Sequence, residues 1–464
     1  MAKKTNSLSL FGLFAGLLVA IVIWHLPIPN LPPDGQKCLA LSLMAVCWWA
    51  TKAMQPGFSA LALLVSYALF LSPEVAPTAL IFSLWTNPLM YLVIGGFLIA
   101  EAVQCSGLGE RIALHFIRRF VKSYQGVIIS CYVLGAILSL IIPHPWPRNF
   151  LLLSVMTYVI RAAKLSEEHA ANIGLAIFAG AIPTSMILLT GDSSLNTLMG
   201  GFAGASISYL QWLLYMGLPG LLTSVLTCFA QLKLFPAPAV FKLDMEEIEA
   251  KTTQLGKLSK QEIICIAVLV LAIAGWMTDS LHGIHSGWIA MIAVFLLCLP
   301  FIHVLGPQSW SALHIGTLFF LCAALAIGTV GNATGMNTWI ASVFIPQSVS
   351  GNPYLFALVA CAICIAIHLF LGSTLAVLGI AAPAIISFGA MAGLNPVAAS
   401  LITYTAVAVH WLLPFHQMTI LVGTGENGGK YSEKAVMKLG AVQTVIIFAI
   451  CLFEICWWKW IGLL

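Results

Sequence analysis

Thr190-Gly191-Asp192-Ser193-Ser194-Leu195-Asn196-Thr197 is a polar stretch that directly follows an apolar run of membrane-spanning length, residues 170–189. It places a glycine, an acid and several hydroxyl side chains where lipid would offer no hydrogen-bonding partner. Irregular backbone at that depth is tolerated only where protein buries it or where it lines a water-filled cavity. The sequence therefore predicts a helix that is interrupted inside the membrane, with the interruption forming part of a solute site.

The composition of the whole chain agrees with a membrane location. Of 464 residues, 60% are hydrophobic and only 8% are charged, whereas soluble domains carry roughly 25% charged residues. The mean hydropathy is +1.00. Twelve cysteines are present, and nearly all lie inside apolar runs, so we interpret them as small core residues rather than as disulfide partners or metal ligands. We therefore predict an all-α membrane protein, since helices satisfy their own backbone hydrogen bonds in lipid.

Apolar runs of about 20 residues predict the spanning helices. About eleven such transmembrane helices are predicted, at residues 8–26, 37–50, 58–72, 82–104, 170–189, 211–232, 263–278, 287–302, 313–330, 396–413 and 440–461. Two further runs, 126–159 and 353–388, are too long for one span and are broken by Pro143, Pro145 and Pro147 or by Gly372. Each of these is predicted to be a re-entrant hairpin.

The positions of lysine and arginine set the predicted orientation. With the N-terminus in the cytoplasm, all but three of the 20 fall on the inner side; Lys37 and Lys459 lie outside and Arg148 lies in the first hairpin. The protein is thus expected in the cell (inner) membrane with its C-terminus outside. Residues 107–122 predict an amphipathic helix on the inner surface, and Glu454 is expected at the outer interface.

The two halves of the sequence resemble each other. Gly107-Leu108 and Ile112-Ala113 recur as Gly335-Met336 and Ile340-Ala341 at one constant offset of 228. Because each half holds an odd number of spans, the halves are predicted to be two inverted-topology repeats, the plan of many secondary transporters. The predicted organisation is 1–75 for N-terminal scaffold helices, 76–232 for the first repeat, 233–262 for a cytoplasmic loop and 263–464 for the second repeat.

Four irregular places follow from this plan, two in each half. They are the hairpin tips at 143–149 and 371–374 and the broken helices at 190–197 and 414–419. Amides at half-helix N-termini attract anions, whereas free carbonyls and hydroxyls can coordinate sodium. One site could therefore hold an anion together with its coupling cation.

The arrangement resembles the divalent anion:sodium symporter family, whose members carry dicarboxylates, citrate or sulfate. Thr190-Gly191 with Asn196, Pro414-Phe415-His416-Gln417 and, in part, Gly372-Ser373-Thr374 are similar to the motifs of that family, and Arg148 matches an arginine found in some members. Residues 206–219 are similar to its sixth helix. At the first tip, however, His144-Pro145-Trp146 stands where the family has Ser-Asn-Thr.

The resemblance implies an elevator-type transporter of a small-molecule anion that forms a homodimer in the lipid bilayer. It implies no nucleic-acid partner and no cofactor beyond Na⁺ or H⁺ as coupling ion. Its implied substrate-binding residues are His144, Arg148, Ser194, Asn196, Ser373, Thr374, His416 and Gln417. Its implied cation-coupling residues, and a possible Na⁺ site at the same breaks, are Thr190, Gly191, Asp192, Gly372, Pro414 and Thr419.

Several alternatives stay open at this point. Asp192 could bind a coupling ion or cap the half-helix that follows it. Arg148 could face the anion or anchor the hairpin to lipid headgroups. His144, His368, His410 and His416 could couple protons or make interior hydrogen bonds. The cargo could be a di- or tricarboxylate or else sulfate; a membrane enzyme or a channel is a remote alternative, since no catalytic motif occurs.

Overall fold

The computed structural model describes residues 7–51, 53–344, 351–371, 374–425 and 428–464, and these residues form α-helices joined by short loops. The helices are α1 Ser7–His25, α2 Pro33–Ala50, α3 Pro56–Phe70, α4 Thr78–Ile81, α5 Pro88–Ser106, α6 Leu108–Phe120, α7 Tyr124–Leu138, α8 Pro145–Ala162, α9 Glu167–Met186, α10 Ser193–Phe202 and α11 Tyr209–Leu234. They continue as α12 Met245–Gln254, α13 Lys260–Met277, α14 Asp279–His282, α15 Ser286–Leu297, α16 Ile315–Ala333, α17 Met336–Phe344, α18 Pro353–Leu371, α19 Thr374–Met391, α20 Pro396–Ala408, α21 Met418–Gly423 and α22 Glu433–Ile461. Short 3₁₀ helices lie at Ser83–Thr86, Leu189–Asp192, Pro307–Ala312 and Pro414–His416.

The long apolar helices identify the fold as that of a multi-pass membrane protein. Among the described residues, α5, α11, α13, α16 and α22 are each long and apolar enough to cross a membrane. Large apolar side chains point outward from several helices; Phe11 is 70% exposed and Phe14 is 64% exposed on α1. Water would make such a surface unfavourable, whereas lipid accommodates it.

Two groups of helices pack side by side. In the first, α1, α2 and α3 pack in sequence, α3 packs on α16, and α5 packs on α15. Glycines allow these close crossings, because a Cβ on Gly57 would lie 2.5 Å from the Cα of Gly316. In the second group, α7, α9, α11 and α22 pack in succession, and α18, α19 and α20 pack on one another. The interrupted helices belong to this second group.

An ion pair between Arg111 and Glu262 joins α6 to the start of α13. Arg111 of α6 donates from Nε to Glu262 Oε1 at 2.5 Å and from Nη1 to the carbonyl of Gly256 at 2.9 Å. Glu262 also completes a capping box with Ser259 at the start of α13. The predicted amphipathic segment is thus a helix, α6, that is fixed to the segment linking the two halves.

Gly107 and Gly335, which match at the offset of 228 residues, have the same backbone conformation. Gly107 ends α5 with φ +78°, and Gly335 follows α16 with φ +77°. Both lie in the left-handed region, where glycine is strongly favoured. Each turns the chain from a long apolar helix into a short one, α6 or α17, so the sequence match corresponds to a matching local structure.

The structure corrects three predicted boundaries. The first tip is residues 139–144, because α8 already begins at Pro145; proline is favoured in the first turn of a helix, where its missing N–H removes no hydrogen bond. In the first break α9 ends at Met186 and α10 starts at Ser193, so Asn196 is helical. The second break begins at Val409, earlier than predicted. Gly372 and Ser373 of the second tip lie outside the described residues.

Candidate functional site

The first tip presents a buried arginine just inside a proline-rich helix start. His144 caps α8, its Nδ1 accepting from the amide of Trp146 at 3.3 Å, and its ring centroid lies 4.9 Å from that of Phe97 on α5 with the ring planes tilted by 38°. Pro145 and Pro147 have no N–H to offer. The start of α8 therefore supplies few amides for an anion, and its positive charge comes from the next residue, Arg148.

Arg148 is 0% exposed and joins the first tip to the first break. Its Nη1 donates to the carbonyls of Ile142 at 3.3 Å and Gly191 at 3.0 Å, and its Nη2 donates to Ser185 Oγ at 2.6 Å. No ion pair involves Arg148 anywhere in the described part of the chain. The alternative that Arg148 anchors the hairpin to headgroups is therefore wrong, because the guanidinium is wholly enclosed by protein.

The first break is closed by a side-chain amide. Asn196 Nδ2 donates to the carbonyl of Ser185 at 2.9 Å, of Leu188 at 2.9 Å and of Leu189 at 3.3 Å. These carbonyls lose their helical partners because the backbone unwinds after α9. Gly191 fits beneath them, since a Cβ there would lie 2.1 Å from the Ser185 oxygen. Asn196 thus uses its donors on the protein itself and keeps its oxygen free.

Asp192 is the N-cap of α10. Its Oδ1 accepts from the amides of Ser194 at 3.1 Å and Leu195 at 3.3 Å, and the amide and hydroxyl of Ser193 both reach the Pro143 carbonyl. The first amides of α10 are therefore already satisfied, contrary to the expectation that they are free to attract an anion. Asp192 is therefore the N-cap of α10, and its role in binding a coupling ion stays a prediction.

The second break repeats the same device with a glutamine. Gln417 Nε2 donates to the carbonyls of Val407, Ala408 and His410 at 3.1, 3.0 and 3.0 Å. Its Oε1 is 3.0 Å from the hydroxyl of Thr374, which is also 2.9 Å from the His416 carbonyl. Asn196 and Gln417 therefore occupy equivalent roles in the two halves.

The other predicted residues are placed as follows. Thr190 is buried, and its hydroxyl is 3.4 Å from that of Tyr209. Pro414 is buried inside the second break, and Thr419 is buried in the first turn of α21. His416 is buried with Nδ1 accepting from the amide of Leu412 at 3.1 Å. Ser194 is buried, and its hydroxyl has no partner.

Buried polar atoms without a partner concentrate at these places. Such atoms in the described part of the chain are Arg148 Nε, Asn149 Nδ2 and Oδ1, Ser194 Oγ, Asn196 Oδ1, His368 Nδ1, His410 Nδ1, Trp411 Nε1, His416 Nε2 and Glu454 Oε2. All but the last lie at the first tip and break or around the second break. Unpartnered buried groups are costly and call for an explanation, of which a bound solute is one.

The free atoms divide into two chemical kinds. Arg148 Nε and Asn149 Nδ2 are donors suited to an anion, whereas Asn196 Oδ1 is an acceptor suited to a cation. Sequence reasoning did not select Asn149 or Trp411 as site residues, and it left His368 and His410 open between proton coupling and interior hydrogen bonds. For Asn149 the signal was available, because a polar residue follows Arg148 within an otherwise apolar run.

Glu454 is wrongly predicted to lie at the interface. It is 0% exposed within α22, and its Oε1 accepts from the hydroxyl of Thr405 on α20 at 2.6 Å. The carboxyl group therefore joins two helices of the second group. Glu454 does not lie at the end of α22, since the helix continues beyond it to Ile461.

A multi-pass helical protein with two interrupted helices, a buried unpaired arginine and free polar atoms around it has the features of a membrane transporter of small anions. The chain matches the family described as "Sodium:sulfate symporter transmembrane region" over residues 7–464. It belongs to this family, so the interpretation as a membrane enzyme is set aside.

Individual relatives agree with this placement. The chain is 24% identical to a "Membrane protein" of Cupriavidus necator, with 97% of this chain and 93% of the relative covered. It is 23% identical to the "Sodium-dependent dicarboxylate transporter SdcS" of Staphylococcus saprophyticus, with 73% and 70% covered. The crystal structure of the YdaH transporter of Alcanivorax borkumensis shares the fold, with a TM-score of 0.53 at 15% identity over 83% of this chain and 87% of that one.

Proposed function

We propose that this protein is a secondary active transporter that moves a small divalent anion across the membrane by alternating access. The cargo class is a di- or tricarboxylate such as succinate, malate or citrate. The observation that carries the proposal is the Arg148 guanidinium, which is 0% exposed and has no carboxylate partner among the described residues. Asp192 acts on Arg148 electrostatically but forms no direct ion pair with it. A buried cation with no directly bonded anion is costly, and an anionic cargo would supply that bond.

The surroundings of Arg148 suit a carboxylate. Arg148 Nε and both polar atoms of the neighbouring Asn149 are unpartnered and buried. A planar guanidinium next to an amide can bind the oxygens of a carboxylate with directional hydrogen bonds. The name of the staphylococcal relative, a sodium-dependent dicarboxylate transporter, supports the same cargo class.

We assign cation coupling to hydrogen-bond acceptors of the first break, which a bound anion would not use. Asn196 Oδ1 is buried and free, and Thr190 and Gly191 lie in the same break. Oxygen atoms of this kind coordinate sodium, and the printed names of the family and of the relative both refer to sodium. Sodium symport is our first choice, with proton coupling or anion exchange as the alternatives that the experiment below separates.

The movement is proposed to be an elevator motion of the second helix group, with its hairpins α7–α8 and α18–α19, against the first. Eleven spans, two inverted repeats, an inside N-terminus, an outside C-terminus and a homodimer complete the proposal. Gly96 of α5 packs against the moving group, since a Cβ there would lie 2.6 Å from Ser193 Oγ. Small residues at such a contact allow helices to slide past each other closely.

Uptake by purified protein in proteoliposomes tests the proposal. Labelled succinate, malate, citrate and sulfate are offered under an inward sodium gradient, an inward proton gradient or neither. Saturable dicarboxylate uptake driven by sodium is the expected result, and Asn149→Leu should reduce it while Ser154→Ala, at an exposed position on the same helix, should not. Uptake of sulfate alone would assign the cargo to oxyanions, and no uptake of any of the four would refute the function.

A further inference from the structure

Three histidines from separate parts of the second half meet around the second break. His368 lies near the end of α18, His410 lies just after α20, and His416 ends the 3₁₀ helix Pro414–His416; all three are 0% exposed. The rings of His368 and His416 stack with centroids 4.7 Å apart, and His410 lies 5.7 Å and 5.9 Å from them. None of these contacts involves the arginine of the first half.

The hydrogen bonds define which nitrogen of two rings carries the proton. His368 Nε2 lies 3.0 Å from the His416 carbonyl, which can only accept, so Nε2 is the donor. His410 Nε2 lies 3.0 Å from Thr444 Oγ1, whose own hydroxyl is directed to the Gly440 carbonyl at 2.9 Å. Both rings therefore carry a lone pair at Nδ1, and both Nδ1 atoms are buried without a partner.

The third ring completes the cluster. His416 Nε2 is likewise buried and unpartnered, and one ring nitrogen of each histidine lies within 4.8 Å of the other two. Three imidazole nitrogens without partners in an enclosed space are an arrangement that a folded protein avoids unless something binds there. Since the described residues place no carboxylate with the cluster, the ligand has to suit nitrogen donors.

We propose that His368, His410 and His416 bind one divalent transition-metal ion of the zinc class, with water in the fourth position. Imidazole nitrogen is a preferred ligand of zinc, copper and nickel, whereas sodium and calcium prefer oxygen. Metal-binding histidines commonly donate their other ring N–H to a carbonyl or hydroxyl, which is what His368 and His410 do. Zn–N bonds of about 2.0–2.1 Å require ring nitrogens about 3.4 Å apart, so the rings would rotate inward slightly.

Ion binding requires one change at His416. Its Nδ1 accepts from the amides of Leu412 at 3.1 Å and Leu413 at 3.4 Å, so the proton of the neutral ring is on Nε2. Ion binding would therefore release this proton from the site, so the affinity should fall as the pH is lowered, and the two amides would stabilise the deprotonated ring. The bound ion then joins the end of α18 to the second break, and transport is expected to slow when it is present.

The test measures ion binding directly, so its outcome is independent of the proposed cargo. Full-length protein is treated with a chelator, and Co²⁺ is then added while the visible absorption is recorded; Zn²⁺ binding is measured by calorimetry. We expect one ion per chain and the intense bands of cobalt with nitrogen ligands. His410→Ala should weaken binding at least tenfold, whereas His115→Ala, at an exposed histidine of α6, should leave it unchanged.

A milder variant guards against misfolding of the histidine variants. Thr444→Val keeps all three histidines but removes the acceptor of His410, and loss of such a partner weakens metal binding about 10–100-fold. Equal Co²⁺ binding by wild type, His410→Ala and Thr444→Val would overturn the proposal, as would the absence of stoichiometric binding by the wild type. In either case the three rings would have only a structural role.

Discussion

Replacing Arg148 by glutamine separates an anion-binding arginine from a purely structural one. The substitution removes a buried charge and the bonds to the carbonyls of Ile142 and Gly191 and to Ser185 Oγ. Hydrogen bonds to a charged group contribute about 1.5–3 kcal/mol each, but burying the unpaired charge costs several kcal/mol. The two effects are of similar size, so we expect the melting temperature of the anion-free protein to change little.

Anion affinity should change far more. Removing one partner of a buried charge pair costs about 3–5 kcal/mol, which corresponds to a dissociation constant roughly 140- to 3700-fold higher at about 1.4 kcal/mol per factor of ten. The assay is thermal unfolding of purified protein over a succinate titration, with Arg118→Gln as control because the Arg118 side chain is 52% exposed. If Arg148→Gln melts far below wild type yet retains the wild-type succinate affinity, Arg148 is structural and the reasoning fails.

Three further substitutions test other parts of the site. Asn196→Leu removes the donor to carbonyls of the first break, and each carbonyl left without a partner costs about 1–3 kcal/mol. The free energy of unfolding measured in denaturant should fall by a similar amount, and an unchanged value would contradict the role of the amide. Glu454→Gln should keep the hydrogen bond from Thr405 and the wild-type melting temperature, whereas Glu454→Ala should lower the melting temperature. Equal melting temperatures of the two variants would show that the hydrogen bond does not contribute to stability. Gly191→Ala should abolish uptake because of its 2.1 Å approach to a carbonyl, while Gly316→Ala, with no atom nearer than 3.7 Å, should be tolerated; the reverse order would contradict the packing.

The sequence could predict the helices because their signal is local. An apolar run and a flanking turn residue suffice, so α5 and α16 fall close to the predicted spans, and Gly107 and Gly335 mark the two turns that follow. The family was also predictable, because its motifs are short runs such as Thr190-Gly191. What could be predicted from sequence is therefore whatever neighbouring residues determine by themselves.

The partners of the site residues could not be predicted in this way. The second break was expected at Pro414, but it begins at Val409 because the Gln417 amide takes up the carbonyls that the unwound backbone releases. Glu454 was placed at the interface because its partner, Thr405, is 49 residues away. His368 meets His416 across 48 residues. Each error concerns a contact between distant segments, for which a single sequence without a recognised spacing carries no signal.

Asn196 and Gln417 have equivalent roles at the two breaks, but the polar groups around the two breaks differ. In both halves a side-chain amide satisfies the broken helix, so neither half needs an ion to hold its backbone open. The other polar side chains near each break are then not needed to satisfy the backbone, and they differ between the two halves. The first half adds the fixed positive charge of Arg148, whereas the second adds the uncharged oxygen of Gln417 and ring nitrogens with lone pairs. The first half thus sets a guanidinium beside the free amide oxygen of Asn196, whereas the second has imidazole nitrogens without partners. The two halves, although they share a local plan, therefore offer different chemical groups to a solute.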